Sequence, residues 1–448
     1  MLDSSHAHYR ATMHSSEADG AGDAVSPPSL ALATWGLFVG LGLLLVGSGL
    51  FGTLLGVRAE LAGLPTIVSS AIAGAYYTGF LAGSRLTLDA LATVGHIRVY
   101  AALASALSAT VITIGLTGSP IAWVLLRFIS GLCIAGQYVV AESWLNDLAD
   151  NENRGRLLAI YMVVTTGAFG VGQLLLFSID PRLITGFAVA SILTSLAVVP
   201  VALSEKAEAP SIRDTEHLSL RELATIVPTG VFSCLLVGIT HGALTGMAAL
   251  YATRVGLSVG QTGVFLAAPL AGGVILQFPI SAASDDLDRR AVGLAIAVGG
   301  AIVGGLLLLG PADHPMAIAL MALLGGLSYP LYSIAGAYTN DWVDPEHVNA
   351  AASQLVTLYG LGAVIGPFVA AGLMVVGGPK GFFYTTIIMH IALASFFAYR
   401  MRAWRTPLID RPWREVSLPA RVFFVPATVA AMGRRRLRAV RNVSRGAG

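Results

Sequence analysis

Long apolar runs broken by short polar stretches organise this chain. Twelve runs are nearly free of charge: 33–56, 65–84, 98–116, 119–143, 157–178, 184–203, 226–250, 260–280, 291–310, 315–338, 350–376 and 381–400. A helix needs about 20 apolar residues to cross the hydrocarbon core of a bilayer. The pattern therefore predicts an all-α membrane protein of twelve transmembrane helices. Longer hydrophilic stretches occur at 1–30, 204–225 and 401–448. The expected organisation is a disordered N-terminal tail (1–30), a six-helix half (31–203), a polar linker (204–225), a second six-helix half (226–400) and a basic C-terminal tail (401–448).

Composition agrees with a membrane setting. Of 448 residues, 55% are hydrophobic and 12% charged, against about 25% charged in soluble proteins. Net charge is +2, which gives no electrostatic reason to expect a nucleic-acid partner. Cys133 and Cys234 both lie in apolar runs and read as helix-packing residues. Ligands at metal-binding spacing are absent, so neither metal nor cofactor is expected. The N-terminal tail carries His6, His8 and His14 but no basic-then-apolar pattern of a cleaved signal.

Loop charges orient the helices. With the N-terminus in the cytoplasm, the inward tail and loops carry ten Lys or Arg residues and the outward loops four: Arg58, Arg182, Arg254 and Lys380. The C-terminal end adds twelve arginines from Arg400 to Arg445, including the run "RRRLRAVR" from Arg434 to Arg441. This excess of basic residues on one side places both termini in the cytoplasm. The arginine run is suited to anionic inner-leaflet lipid.

The two halves echo each other. A shift of 194 residues carries Gly36 onto Gly230, Gly131 onto Gly325, Tyr138 onto Tyr332, Asn146-Asp147 onto Asn340-Asp341, Asp150 onto Asp344, Glu152 onto Glu346 and Gly172 onto Gly366. Transporters built from such repeats hold substrate near the midplane, between the halves. The 51 glycines suit close helix packing. "YGLGAVIGPF" (Tyr359 to Phe368) predicts a tightly packed eleventh helix, able to bend at its glycines.

Four motifs carry a family resemblance: "RFISGLCIAG" (Arg127 to Gly136), "NENRGR" (Asn151 to Arg156), "SAASDDLDRR" (Ser281 to Arg290) and "GPF" (Gly366 to Phe368). In order and spacing they resemble the major facilitator superfamily over about 33–400. "AESWLND", "NRGRLLAIYM" and "SYPLYSIAGAYTND" are similar to its bacterial YcaD-like branch. The resemblance implies a monomeric secondary transporter of the bacterial cytoplasmic membrane, not an enzyme. It would move a small organic solute by alternating access, with the proton as coupling ion. Drug or metabolite efflux, or a receptor on a transporter fold, are the alternatives. A receptor would need a substantial soluble signalling domain. In "TTGAFGVGQ", Gln173 stands where proton-coupled drug exporters often have proline, which argues against drug/proton antiport. No phosphate loop of the ATP-motor type is present.

The resemblance also implies cytoplasmic latches between an aspartate near a helix end and arginine from a neighbouring helix. Asp285, Arg289 and Arg290 match the second copy. The first is degraded: Gly95 and Arg98 survive in "LDALATVGHIR", Ala92 and Thr93 replace the acid and base, and Asp89 is the nearest substitute. Asp147, Arg154, Arg156 and Asp341 complete the candidate gate.

The fourth helix carries the candidate chemistry. At 100° per residue, Tyr138 lies about 20° and Glu142 about 60° from Arg127, with Asp147 at about 200°. Arg127, Tyr138 and Glu142 are thus expected on one interior-facing stripe, since charge facing lipid is expensive. Arg127 and Glu142 are about 22 Å apart at 1.5 Å per residue, too far for an ion pair. Arg127 is a candidate for binding an anionic group, or for setting the protonation of a nearby acid. Glu142 is a candidate proton carrier, or a gate residue pairing with Arg154 or Arg156. His241 titrates near neutral pH when unperturbed and is a second coupling candidate. Tyr76, Tyr77, Gln137, Gln173, Gln277, Tyr329 and Tyr332 are the other candidate lining residues.

Overall fold

A computed structural model describes residues 27–149, 154–204 and 218–403. The N-terminal histidines, Asp150 to Glu152 of the acidic loop, most of the linker and the arginine run lie outside these residues, as does the Arg154 side chain.

Twelve long helices are present among the described residues. They are α1 (Pro27–Leu61), α2 (Thr66–Val94), α3 (His96–Leu116), α4 (Pro120–Leu148), α5 (Arg154–Leu175), α6 (Thr185–Ala202), α7 (Pro228–Arg254), α8 (Val259–Asp286), α9 (Arg289–Leu307), α10 (Pro315–Trp342), α11 (Val348–Gly377) and α12 (Gly381–Ala403). Eleven meet the length and apolarity needed to cross a membrane. The exception, α2, is diluted by Ser69, Ser70, Tyr76, Tyr77, Thr78 and Ser84, and it borders the central cavity. The polar linker ends in a short helix, Leu220–Ile226, closed by a capping box between Ser219 and Glu222.

Several helices outrun their apolar stretches. The α2 helix continues ten residues past 84 and stops at Gly95, whose φ of 83° is open chiefly to glycine. The α4 helix continues past 143, so Asp147 falls in its last turn. Apolar composition marks the part that crosses hydrocarbon, whereas backbone hydrogen bonding runs on until something stops it. Starts are marked by caps. Ser119 accepts from the Ala122 N–H at α4, Ser258 and Gln261 form a capping box at α8, and Asp288 accepts from the Arg290 N–H at α9.

The repeat appears as matched helix crossings. Gly131 seats α4 against the Tyr76 carbonyl of α2, and its repeat mate Gly325 seats α10 against the Pro269 carbonyl of α8. Gly172 brings α5 onto Val46 of α1, and Gly366 brings α11 onto Ile239 of α7. A β-carbon at any of these four positions would overlap the facing carbonyl. The glycines of "YGLGAVIGPF" are used the same way, with Gly362 against Leu235 of α7. The two six-helix sets then meet along α1–α7, α2–α11 and α5–α8. Large side chains such as Ile121, Phe177, Leu309 and Val376 are exposed, as lipid-facing surface permits.

Candidate functional site

A cavity of about 180 Å³ lies between the two six-helix sets and is lined by both. Arg127 reaches it from α4, two turns below the Ser119 cap. Its guanidinium carbon sits 4.9 Å from the centre of the Phe51 ring and 4.4 Å from that of Tyr76. Both are within the range in which an aromatic face attracts a cation. Gly52 lies beside the guanidinium, where a β-carbon would make an ordinary van der Waals contact with Nη2 at 3.6 Å. Among the described residues Arg127 makes no ion pair within 4.0 Å. Among the described residues it is also the only Lys, Arg, Asp or Glu in the lining.

Aromatic side chains with polar tips make up much of the wall. Tyr76 and Tyr77 from α2 meet edge to face at 5.1 Å, and Phe80 lies 6.3 Å from Tyr138 of α4. On the opposite wall His241 of α7 packs 4.6 Å from Tyr329, and its Nδ1 is 3.1 Å from the Tyr359 hydroxyl. Tyr332 completes that cluster, 5.0 Å from Tyr359. The Tyr77 hydroxyl and Thr245 hydrogen-bond across the two walls.

Six of the seven predicted pathway residues therefore border one space: Arg127, Tyr138, Gln173, His241, Tyr329 and Tyr332. The seventh, Glu142, does not. It turns towards α5, where its Oε1 accepts a 2.9 Å hydrogen bond from the Tyr161 hydroxyl. Arg156 is exposed and makes no ion pair among the described residues. Two predicted lining glutamines also lie elsewhere. Gln137 is fully buried and donates to the Tyr100 carbonyl, while Gln277 donates to Ser281 and Ser333. Both knit helices together. Polar character marks them as interior but does not distinguish a helix seam from a cavity wall.

Charged clusters stand at the two ends of the bundle. At the end where α8 turns into α9, Arg289 bridges Asp341 of α10 at 2.7 Å and Asp285 at 3.2 Å. Arg289 thus ties α8 and α10 together, whereas Arg290 pairs with Asp288 beside it at 2.9 Å. In the first half Asp89 is exposed and unpaired among the described residues. Asp147 instead lies 3.6 Å from Nε2 of His96, which is also 3.1 Å from the Ser143 hydroxyl. His96 occupies the repeat position of Arg290. A histidine at that position does not match the basic pattern of the second copy.

At the opposite end, where α1 turns into α2, Arg254 Nε lies 3.0 Å from Glu60 Oε1. Arg254 Nη1 also donates to Thr66 at 2.9 Å. These bonds join α7 to α1 and α2, across the seam above the cavity.

Comparison with known proteins matches this architecture. The profile of the Major Facilitator Superfamily matches residues 230–438. The chain is 30% identical over 365 residues to the uncharacterized MFS-type transporter YcaD of Escherichia coli O45:K1 (strain S88 / ExPEC), covering 80% of this chain and 92% of that one. It is 32% identical over 345 residues to an uncharacterized MFS-type transporter of Enterobacter sp. (strain 638), covering 75% and 88%. Among solved structures, a bacterial homolog of the human lysosomal transporter Spinster aligns with TM-score 0.68 and 17% identity, covering 85% of this chain and 98% of that one. The nucleoside transporter NupG aligns at 0.64 and 14%, covering 83% and 99%. At that identity the structural likeness speaks for fold alone, and the sequence relatives carry the assignment: the chain belongs to the major facilitator superfamily of membrane transporters.

Proposed function

We propose that the protein moves a small organic solute across the bacterial cytoplasmic membrane by alternating access, coupled to protons, with both termini in the cytoplasm. The observation that carries this reading is the cavity, enclosed between two repeat-related helix sets and lined from both. Rocking one set against the other would expose that space to each side in turn. On this reading Glu60–Arg254 holds the outer side shut. Arg289 with Asp285 and Asp341, and His96 with Asp147, brace the cytoplasmic helix ends. The volume of about 180 Å³ is below the roughly 300–1,000 Å³ of drug-sized pockets, which favours a metabolite over a bulky drug.

Proton coupling is assigned to Glu142, one helical turn from the cavity-lining Tyr138 and hydrogen-bonded to Tyr161, with His241 in the cavity lining as a second candidate. The test is reconstitution in liposomes, with accumulation of small metabolites followed under an imposed pH gradient. Accumulation that collapses with a protonophore is expected. Accumulation indifferent to the gradient would remove the proton, and no accumulation of any solute would remove transport.

A further inference from the structure

We infer that the central cavity takes a monoanionic organic acid, its oxyanion held by Arg127 and its apolar or aromatic body lying among the surrounding rings. This names the substrate class of the proposed transport site and rests on that reading of the cavity.

Charge in the lining is the first constraint on a ligand. The lining contains one guanidinium and neither aspartate nor glutamate. A charge withdrawn from water is expensive unless it is paired. Protein supplies Arg127 with the faces of Phe51 and Tyr76 but with no carboxylate and no side-chain hydrogen-bond acceptor among the described residues. Aromatic faces attract a cation without taking up its N–H donors. The guanidinium therefore keeps donors in a planar fork that matches a carboxylate or sulfonate.

The same inventory excludes other classes. A cationic solute would meet a like charge with no acid in the lining to offset it. A zwitterion would leave its ammonium without an anionic partner, and a dianion would leave its second charge without a cationic one. A neutral solute would leave the guanidinium uncompensated.

The walls then select the rest of the molecule. Tyr76 and Phe80 on one side and Tyr329, Tyr332 and Tyr359 on the other line the cavity with aromatic surface. Those surfaces suit a flat or short apolar body. The volume limits it to about one or two rings.

Binding to purified full-length protein in detergent tests the inference, using benzoate, naphthoate and benzenesulfonate against benzamide, naphthamide and benzylammonium. The acids should bind at least about 10-fold tighter than their amides, the factor expected from charge-assisted hydrogen bonds. The ammonium should bind weakest. Arg127→Gln should abolish the preference for acids. Arg127→Lys, which keeps the charge but loses the fork, should retain the preference at lower affinity. Size-exclusion profiles and thermal stability show that both variants are folded. Acids binding no better than amides, a preference that survives in R127Q, or no acid binding at all would overturn the inference. Uptake assays separate it from the transport reading. Acids that bind but are never moved would sink transport and leave the anion site, while uptake of neutral or cationic solutes alone would do the reverse.

Discussion

Glu60 and Arg254 sit 3.0 Å apart at one end of the bundle, and they are also 194 residues apart in sequence. That offset is the internal repeat, so a residue of the first half pairs with its own repeat mate in the second. Such positions approach each other wherever the repeat axis passes between the last turns of α1 and α7. Side chains there are only partly exposed. Neutralising either partner, as in Glu60→Gln or Arg254→Gln, should shift the equilibrium towards an open outer side by about 1 kcal/mol, roughly 5-fold. The swapped pair E60R/R254E should recover it. Pulsed EPR distances between spin labels on the outer ends of α1 and α7 read the shift. A distance distribution unchanged in E60Q would show that the pair holds nothing.

Glu142 makes a different kind of prediction, because Tyr161 holds it away from the cavity. In liposomes Glu142→Gln should transport down a substrate gradient yet lose acceleration by a pH gradient. Tyr161→Phe should weaken the coupling without abolishing it. Full proton drive in E142Q would reduce Glu142 to a packing residue.

Close helix crossings set a stability prediction. Gly131→Ala and Gly325→Ala each force a methyl into a carbonyl of the facing helix, and overpacking of this kind destabilises by about 1–3 kcal/mol. Gly336 has open space around it, so Gly336→Ala should be neutral. Melting temperatures of the three purified variants give the comparison. Equal values would mean that the helices separate freely.

The short helix before α7 carries a pH dependence. The Ser219 hydroxyl and backbone N–H, both donating to Glu222, hold its carboxyl below the usual carboxylate range. A lowered folded value means that the contribution is present above the unfolded value and is lost as pH falls through the folded one. Hydrogen exchange of the amides at 220–226, taken relative to the intrinsic rate at each pH, should therefore be slow at neutral pH and relatively faster on strong acidification. Ser219→Ala should raise it several-fold at neutral pH. Protection unaffected by this substitution would show that packing, not the cap, holds the turn.

Sequence alone carried much of this molecule. Hydrophobic runs mark the twelve helices because crossing hydrocarbon imposes a length and a composition. The repeat offset is written in Gly131 and Gly325, where only glycine lets two backbones meet. Six cavity-lining residues could be named because polar groups inside a membrane are retained only where protein or water faces them. Tertiary structure decided the rest. A helical wheel gives direction but not what stands in that direction, so Arg127 and Tyr138 reach the cavity while Glu142 meets Tyr161. Gln137 and Gln277 were indistinguishable from lining until neighbouring helices showed them bonded in seams. Repeat matching finds identity, whereas Glu60 with Arg254 is a match of opposites, and His96 is a histidine where its repeat mate is Arg290. Complementarity of charge across a seam is a property of two surfaces brought together, and a linear pattern records each surface separately.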